Sequence, residues 1–377
     1  MLKKFHIGID ARPLSTPVSG VGRLIAETLI GFPEKEKFEF HFFSHRPLHF
    51  GHEKLLNLPN VTLHIGKGWI AKKGGFYFNF YLPFYMQKLK LHLFWGTQQV
   101  LPPFLSSTIP AVLTYHDSVI YILPETMRAI AKWQQQTFLK YSVKRSDFII
   151  SNSMQTRNDM VKLFSYPLEK TDVAYPGVSF KEITDCLNQK PSEEIEKIKN
   201  PFFLSVSTIE PRKNYKFLLE LYRSYRERSG ENKCDWVIVG RRGWESEDFY
   251  KDLERDIEKY KDIILFSNAS DVDLHHLYRR AIAFLFASKY EGFGIPLLEA
   301  LAHGKKAIVS DIPTFHEIGK EAIIYHSLEK PNDWLESMLL LSERKEVSKI
   351  DLKDFSWEKS AEVYYRIFLD ILNNKNS

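Results

Sequence analysis

Cysteine is almost missing from this chain: among 377 residues only Cys186 and Cys234 occur. Two thiols do not make a disulfide scaffold, so the small cross-linked secreted folds are excluded and a reducing, cytoplasmic setting is the simpler expectation. Long apolar runs are missing too. No stretch approaches the roughly 20 residues that cross a bilayer. The start, Met1 to Asp10, is basic and then apolar, but Asp10 cuts the run too early for a signal peptide, and it reads as a first strand. Charge of one sign is scarce as well, with 52 basic against 47 acidic residues, a net +5, and the two signs interleaved. That argues against nucleic acid as the main partner and is compatible with loose contact to an anionic membrane surface. What remains, 44% hydrophobic and 26% charged, is a globular composition with room for two domains.

The chain is organised around Ser288 to Leu301, Ser-Lys-Tyr-Glu-Gly-Phe-Gly-Ile-Pro-Leu-Leu-Glu-Ala-Leu. An apolar run, Ala281 to Ala287, precedes it as a buried parallel strand, and Pro296 opens a helix. Gly292 and Gly294 let backbone approach a ligand, and the amides at the helix start attract oxygens. Glu291 precedes the turn and Glu299 lies about one helical turn inside it, so two carboxylates reach one place at different depths.

A second strand-to-loop junction runs from Phe202 into Ser207-Thr208-Ile209-Glu210-Pro211-Arg212-Lys213-Asn214. Adjacent Arg and Lys there can neutralise two phosphates, Arg as a planar fork and Lys as a compact charge. Near the start, Phe5 to Ile9 is a strand and Leu24 to Phe32 a helix, with the loop Val18-Ser-Gly-Val-Gly-Arg23 between them. Strand, glycine loop and helix together face phosphate in many folds, although half the dinucleotide-binding spacing is missing. The strand Ala111 to Thr114 delivers Tyr115-His116-Asp117 at its carboxyl end. Ser151-Asn152-Ser153 reads as a helix cap. Aromatics crowd Phe76 to Trp95 among Lys72, Lys73, Lys88 and Lys90. Two readings stand for that segment, a helix packed on its own sheet and a patch that meets a membrane surface.

Glu291-x7-Glu299 enclosing Gly-Phe-Gly, with Glu-Pro-Arg-Lys-Asn upstream, resembles the signature of the retaining GT-B glycosyltransferases of family 4, and Tyr81-Leu82-Pro83 resembles a segment of their mannosyltransferase-like branch. The resemblance extends from Val18 to Ala361. It implies an α/β, GT-B fold in which two Rossmann-like domains face each other across a cleft. The expected boundaries are an acceptor-side domain over 1–179, a linker over 180–200 and a nucleotide-sugar domain over 201–355, with a terminal helix, 356–377, returning to the first domain.

By the same resemblance Glu291 bonds a donor-sugar hydroxyl, and the amides of Phe293, Gly294 and Ile295 hold sugar and phosphate oxygens. Glu299 holds the nucleotide ribose, Arg212 and Lys213 the diphosphate, His116 touches the donor sugar, and Gly20 and Gly22 lie near it. Many members carry a further Arg where this chain has Ser207, which leaves the charge work to Arg212 and Lys213. With no Asp-x-Asp pair in a metal-holding context and no His or Cys cluster in the sequence, the expectation is a transfer without metal or other cofactor. The expected partners are a nucleotide-sugar donor, GDP-mannose first, and a glycan or lipid-linked acceptor, with peripheral contact at the inner membrane. A non-catalytic sugar-nucleotide binder, an epimerase and a phosphorylase on the same fold remain the alternatives.

Overall fold

The computed structural model describes residues 4–69, 73–126, 129–230, 233–342 and 350–374. The chain divides into two compact units, 1–177 joined by 354–377, and 178–353. Lys72 lies outside the described residues, as do the last three of the terminal segment.

The first unit is built on seven strands: β1 Phe5–Asp10, β2 Phe38–Ser44, β3 Val61–Ile65, β4 Leu93–Gly96, β5 Ala111–Tyr115, β6 Phe148–Ser151 and β7 Thr171–Val173. They lie in the order β3-β2-β1-β4-β5-β6-β7, all parallel. Every residue of β4 and β5 is buried, which is why these strands are mostly apolar rather than alternating. β7 ends at Val173. Beyond it Gly177 lies so close to the backbone of Ser356 and Trp357 that no side chain could fit.

The helix Trp357–Asn374 belongs to this unit. Its buried face, Trp357, Ala361, Tyr364, Ile367, Phe368 and Leu372, keeps the helical period and packs into the core that holds Ile7, Ile9, Leu29 and Phe32. The Tyr364 hydroxyl meets Thr114 Oγ1 at 2.8 Å, and Trp95 Nε1 donates to the same oxygen at 2.8 Å. Across β1 to β3 runs a relay of imidazoles. His6 Nδ1 and His41 Nε2 are 2.9 Å apart, His41 Nδ1 and His64 Nε2 2.9 Å, and His64 Nδ1 lies 3.0 Å from the Tyr85 hydroxyl.

The second unit repeats the plan with β8 Phe202–Val206, β9 Asp235–Val239, β10 Ile263–Phe266, β11 Ala283–Phe286, β12 Lys306–Ser310 and β13 Ile324–His326, ordered β10-β9-β8-β11-β12-β13. In both sheets the order reverses beside the first strand, between β1 and β4 and between β8 and β11. Such a reversal opens a crevice at the carboxyl ends of the strands, where ligands of this fold class bind.

Residues 180–200, read from their polarity as a connection, instead form the helices Phe180–Leu187 and Glu193–Lys197 inside the second unit. Ile183, Cys186 and Ile195 are buried, and Ser192 N donates to Asp273 Oδ1 at 2.7 Å. The guanidinium of Arg280 donates to the carbonyls of Ile195 and Ile198. The polar residues that suggested a linker are the solvent face of helices held by a few apolar contacts.

Candidate functional site

In the second unit the loops after β8 and β11, the two strands flanking the reversal, are tied together by the Lys289 amide, which donates to the Arg212 carbonyl at 2.9 Å. The first of these loops closes with Asn214 in the left-handed region, φ 59°, a conformation Asn tolerates better than most residues. That turn sets Arg212 and Lys213 one after the other toward the second loop, where both reach Glu291.

Lys213 Nζ donates to Glu291 Oε1 at 2.5 Å and Arg212 Nη1 to Glu291 Oε2 at 2.7 Å. Ser288 Oγ adds a third bond, to Oε1, at 2.7 Å. On its other side Arg212 is gripped by Glu210, with Nε at 3.0 Å and Nη2 at 2.8 Å from Oε1, and Nη1 also donates to the Tyr290 carbonyl at 3.1 Å. Glu210, Lys213 and Glu291 are buried, none more than 9% exposed. Burial without partners would neutralise such groups, so the quartet stands or falls together.

Burial pushes the Glu291 carboxyl up, but Arg212 and then Lys213 outweigh it and hold it below the usual range. Burial, and after it the neighbouring Arg212 charge, push the Lys213 ammonium down, against the pull of Glu291. An ammonium has three donors, and the bond to Glu291 uses one. Arg212 is instead fixed by three acceptors, which makes it a rigid positive wall beside a more adaptable cation.

Gly294, at φ 117°, supplies a backbone conformation that residues with a side chain rarely adopt, and a Cβ there would sit 3.0 Å from the Phe315 ring. It begins the helix Ile295–Ala302 without a side-chain cap, and its carbonyl accepts the Leu297 amide at 3.0 Å. Phe293, in the turn before it, is buried. Glu299, inside the same helix, is buried and accepts from the Tyr278 hydroxyl at 3.0 Å. Thr314 Oγ1 donates to the Glu291 carbonyl at 2.9 Å and steadies the turn. The residues Arg212, Lys213 and Glu291 therefore come into direct contact, with Phe293, Gly294, Ile295 and Glu299 on the continuation of the same loop and helix.

His116, Gly20 and Gly22 belong to the first unit. His116 Nε2 lies 2.6 Å from the Thr97 carbonyl, so that nitrogen carries the proton and Nδ1 is the acceptor. Burial pushes its pKa down against the Thr97 carbonyl and Asp117, which favours the neutral ring. Gln99 Oε1 receives the amides of His116 at 2.9 Å and Asp117 at 3.1 Å, fixing the loop. Gly20 is exposed at the start of the helix Gly20–Ile30. Gly22 has a packing reason of its own: its amide donates to Ser19 Oγ at 3.2 Å, and a Cβ would stand 2.9 Å from His52 Nε2.

Sequence reasoning missed Glu210, although it stands inside the quoted Glu-Pro-Arg-Lys-Asn string. It also missed the pair Asp10 and Arg12 at the end of β1, joined by bonds of 2.8 Å through Nε and Nη2, with the guanidinium 3.3 Å from the centre of the Phe78 ring. A lone acid ending the first strand, two residues before an Arg, was the available signal. Among the described residues no three His, Cys, Asp or Glu side chains gather in a way that could hold a metal ion.

The family profile described as Glycosyltransferase Family 4 matches residues 18–182, and that described as Glycosyl transferases group 1 matches 188–345, so the two cover both units. The chain belongs to the GT-B glycosyltransferases of family 4. Relatives of this glycosyltransferase include the O-antigen chain mannosyltransferase B of Escherichia coli, 27% identical over 66% of this chain and 64% of that protein. The serotype-specific mannosyltransferase WbdA of Escherichia coli is 35% identical over 43% of this chain and 20% of its own length. The chain thus spans less than two thirds of the length of either curated relative. Among solved structures, sucrose-phosphate synthase from Thermosynechococcus elongatus aligns over 98% of this chain and all of its own, with a TM-score of 0.69 at 15% identity, a likeness of fold.

Proposed function

We propose that this glycosyltransferase moves a hexose, mannose in the first instance, from a nucleotide diphosphate sugar to a glycan or lipid-linked acceptor, with retention and without a metal ion. The observation that carries the reading is the buried contact of Arg212 and Lys213 with Glu291 at the strand-order reversal of the second unit. A departing diphosphate needs fixed positive charge in a place poor in water, and these cations are already in position before the donor arrives. The mannosyltransferase names of the relatives support the choice of sugar.

Glu291 is the carboxylate a double displacement would call on, yet both of its oxygens are engaged, Oε1 by Lys213 and Ser288 and Oε2 by Arg212. A carboxylate so occupied is a poor nucleophile and a good fixed acceptor for sugar hydroxyls. That supports front-face transfer, in which the leaving phosphate oxygen takes the proton of the acceptor hydroxyl as the new glycosidic bond forms. A cytoplasmic location at the inner face of the membrane goes with this reading, and Cys186 and Cys234, which form no disulfide, suit it.

Incubation with GDP-mannose, UDP-glucose and ADP-glucose, with and without glycan acceptors, tests the reading. Acceptor-dependent transfer from GDP-mannose that persists in EDTA, with the anomeric configuration retained by NMR, is the expected result. An inverted product, or turnover that needs no acceptor, would overturn it.

A further inference from the structure

The helical segment that follows Lys73 has two apolar faces. One is core: Tyr77, Phe78, Leu82 and Met86 are at most 3% exposed. The other carries Phe76, Phe80 and Phe84, four residues apart, at 38, 48 and 58% exposure, joined by Trp69 at 59% and Phe104 at 54%. These rings are continuous, with centroid separations of 4.8 Å from Trp69 to Phe76, 5.3 Å to Phe80, 6.0 Å to Phe104 and 6.4 Å from Phe104 to Phe84. Single exposed aromatics are ordinary, but five in one unbroken stripe on a helix already anchored by its opposite face are not.

The charge around the stripe is of one sign. From Lys54 to His116 the sequence contains no Asp or Glu, and Lys67, Lys73, Lys88 and Lys90 are exposed within that span. Lys88 also lines the groove formed by Phe76, Phe80, Tyr81, Phe84 and Tyr85. Within this span the basic residues stand without acids beside aromatic rings. Aromatic rings settle at the level of lipid headgroups, and unopposed lysines are drawn to anionic ones.

We propose that this stripe and its lysines dock the chain on the surface of an anionic lipid bilayer. The rings enter the headgroup layer and Lys73, Lys88 and Lys90 answer its charge, while no helix among the described residues is long and apolar enough to cross. The proposal stands on the first unit alone and does not depend on the transferase reading.

The test is flotation of the full chain, without donor, on vesicles of phosphatidylcholine and on vesicles of equal parts phosphatidylcholine and phosphatidylglycerol. Binding should favour the anionic vesicles and weaken with added salt. Phe80→Ser with Phe84→Ser should lower the partition coefficient by about tenfold or more, and Lys88→Glu with Lys90→Glu should abolish the preference for anionic lipid, both with unchanged thermal melting. Equal recovery on neutral and anionic vesicles, or binding indifferent to both pairs of substitutions, would overturn the proposal. So would self-association in solution that is lost with Phe80→Ser and Phe84→Ser, which would assign the stripe to a second copy. Binding to a polyprenyl phosphate in micelles but to neither vesicle would likewise reassign it to a lipid-linked substrate. Loss of transfer with vesicle binding intact would instead count against the transferase reading alone.

Discussion

The two units share a strand order and differ in what they place where that order reverses. In the second, four charged side chains, Glu210, Arg212, Lys213 and Glu291, are interlocked and mostly buried. In the first, the ends of β1 and β4 hold one closed ion pair, Asp10 with Arg12, braced by the Thr97 hydroxyl donating to the Asp10 carbonyl at 2.6 Å. In the first unit burial pushes His41, His64 and His116 toward the neutral ring, and its conspicuous charge lies outside, on the lysines beside the ring stripe. One topology therefore serves two tasks. The second unit concentrates charge that an anionic ligand can use, and the first confines its charge to a closed pair and its surface.

The contrast breaks most sharply if the interlocked charges are ornamental. Lys213→Ala should lower transfer by roughly a thousandfold, the scale of losing one preorganised donor to a developing charge. The same change at Lys216, exposed and outside the quartet's contacts, should leave transfer within about twofold. Similar losses in both would show that the buried position of Lys213 carries no special weight. Glu291→Gln keeps the size of the side chain but removes the charge that holds both cations, and we expect transfer to fall by roughly a hundredfold or more. Glu210→Gln loosens only Arg212 and should cost about tenfold, with the loss in kcat rather than KM if Glu210 positions a group used in the transition state. Steady-state kinetics on the three variants ranks them, and Glu210→Gln at the level of Lys213→Ala would dissolve the distinction between contact and support.

Much of this was legible along the chain because β-strands buried on both faces are written as nearly continuous apolar runs, and β5, β8 and β11 are such runs. Arg212, Lys213, Glu291 and Glu299 were legible because each sits in a string of consecutive residues with special backbone needs, Gly294 above all. Partnerships across the fold were not. Tyr278 with Glu299 and Ser288 with Glu291 depend on how one helix or turn lies against another, and no spacing rule encodes that. The helices within 180–200 escaped because their buried faces hold few residues and their solvent faces dominate the composition. The aromatic segment has two different faces, with Tyr77 and Phe78 in the core and Phe80 and Phe84 outside it. A one-dimensional density of rings cannot show that a helix has spent its two faces differently.

The buried His41 ring of the first unit makes a gentler test, through pH. Burial, then His64 and His6, bring His41 down from 6.5 to about 4 against the pull of Glu39. In the unfolded chain the ring titrates near its ordinary value, so between these two values the unfolded state binds more protons than the folded one. Stability from this group is complete above about pH 6.5 and is lost as pH falls toward 4. Thermal melting should therefore fall between pH 7 and pH 5, and His41→Gln should flatten that slope; an unchanged slope would mean the ring is already solvated.

The smallest effect concerns how the terminal helix is held in the first unit. Tyr364→Phe removes a hydroxyl from a buried pair with Thr114 and leaves Thr114 Oγ1 still accepting from Trp95 Nε1, so the loss should be about 1 kcal/mol. Thr114→Val strips the partner from both the Tyr364 hydroxyl and the Trp95 N–H, and should cost about 2 to 3 kcal/mol, because two buried polar groups are then left unpaired. Denaturant unfolding of the two variants gives the order directly. If Tyr364→Phe were the more damaging, the helix would be held chiefly by that hydroxyl; the expected order places its attachment in the packed face of Trp357, Ala361, Ile367 and Phe368, with the hydroxyl completing a bond that Thr114 organises.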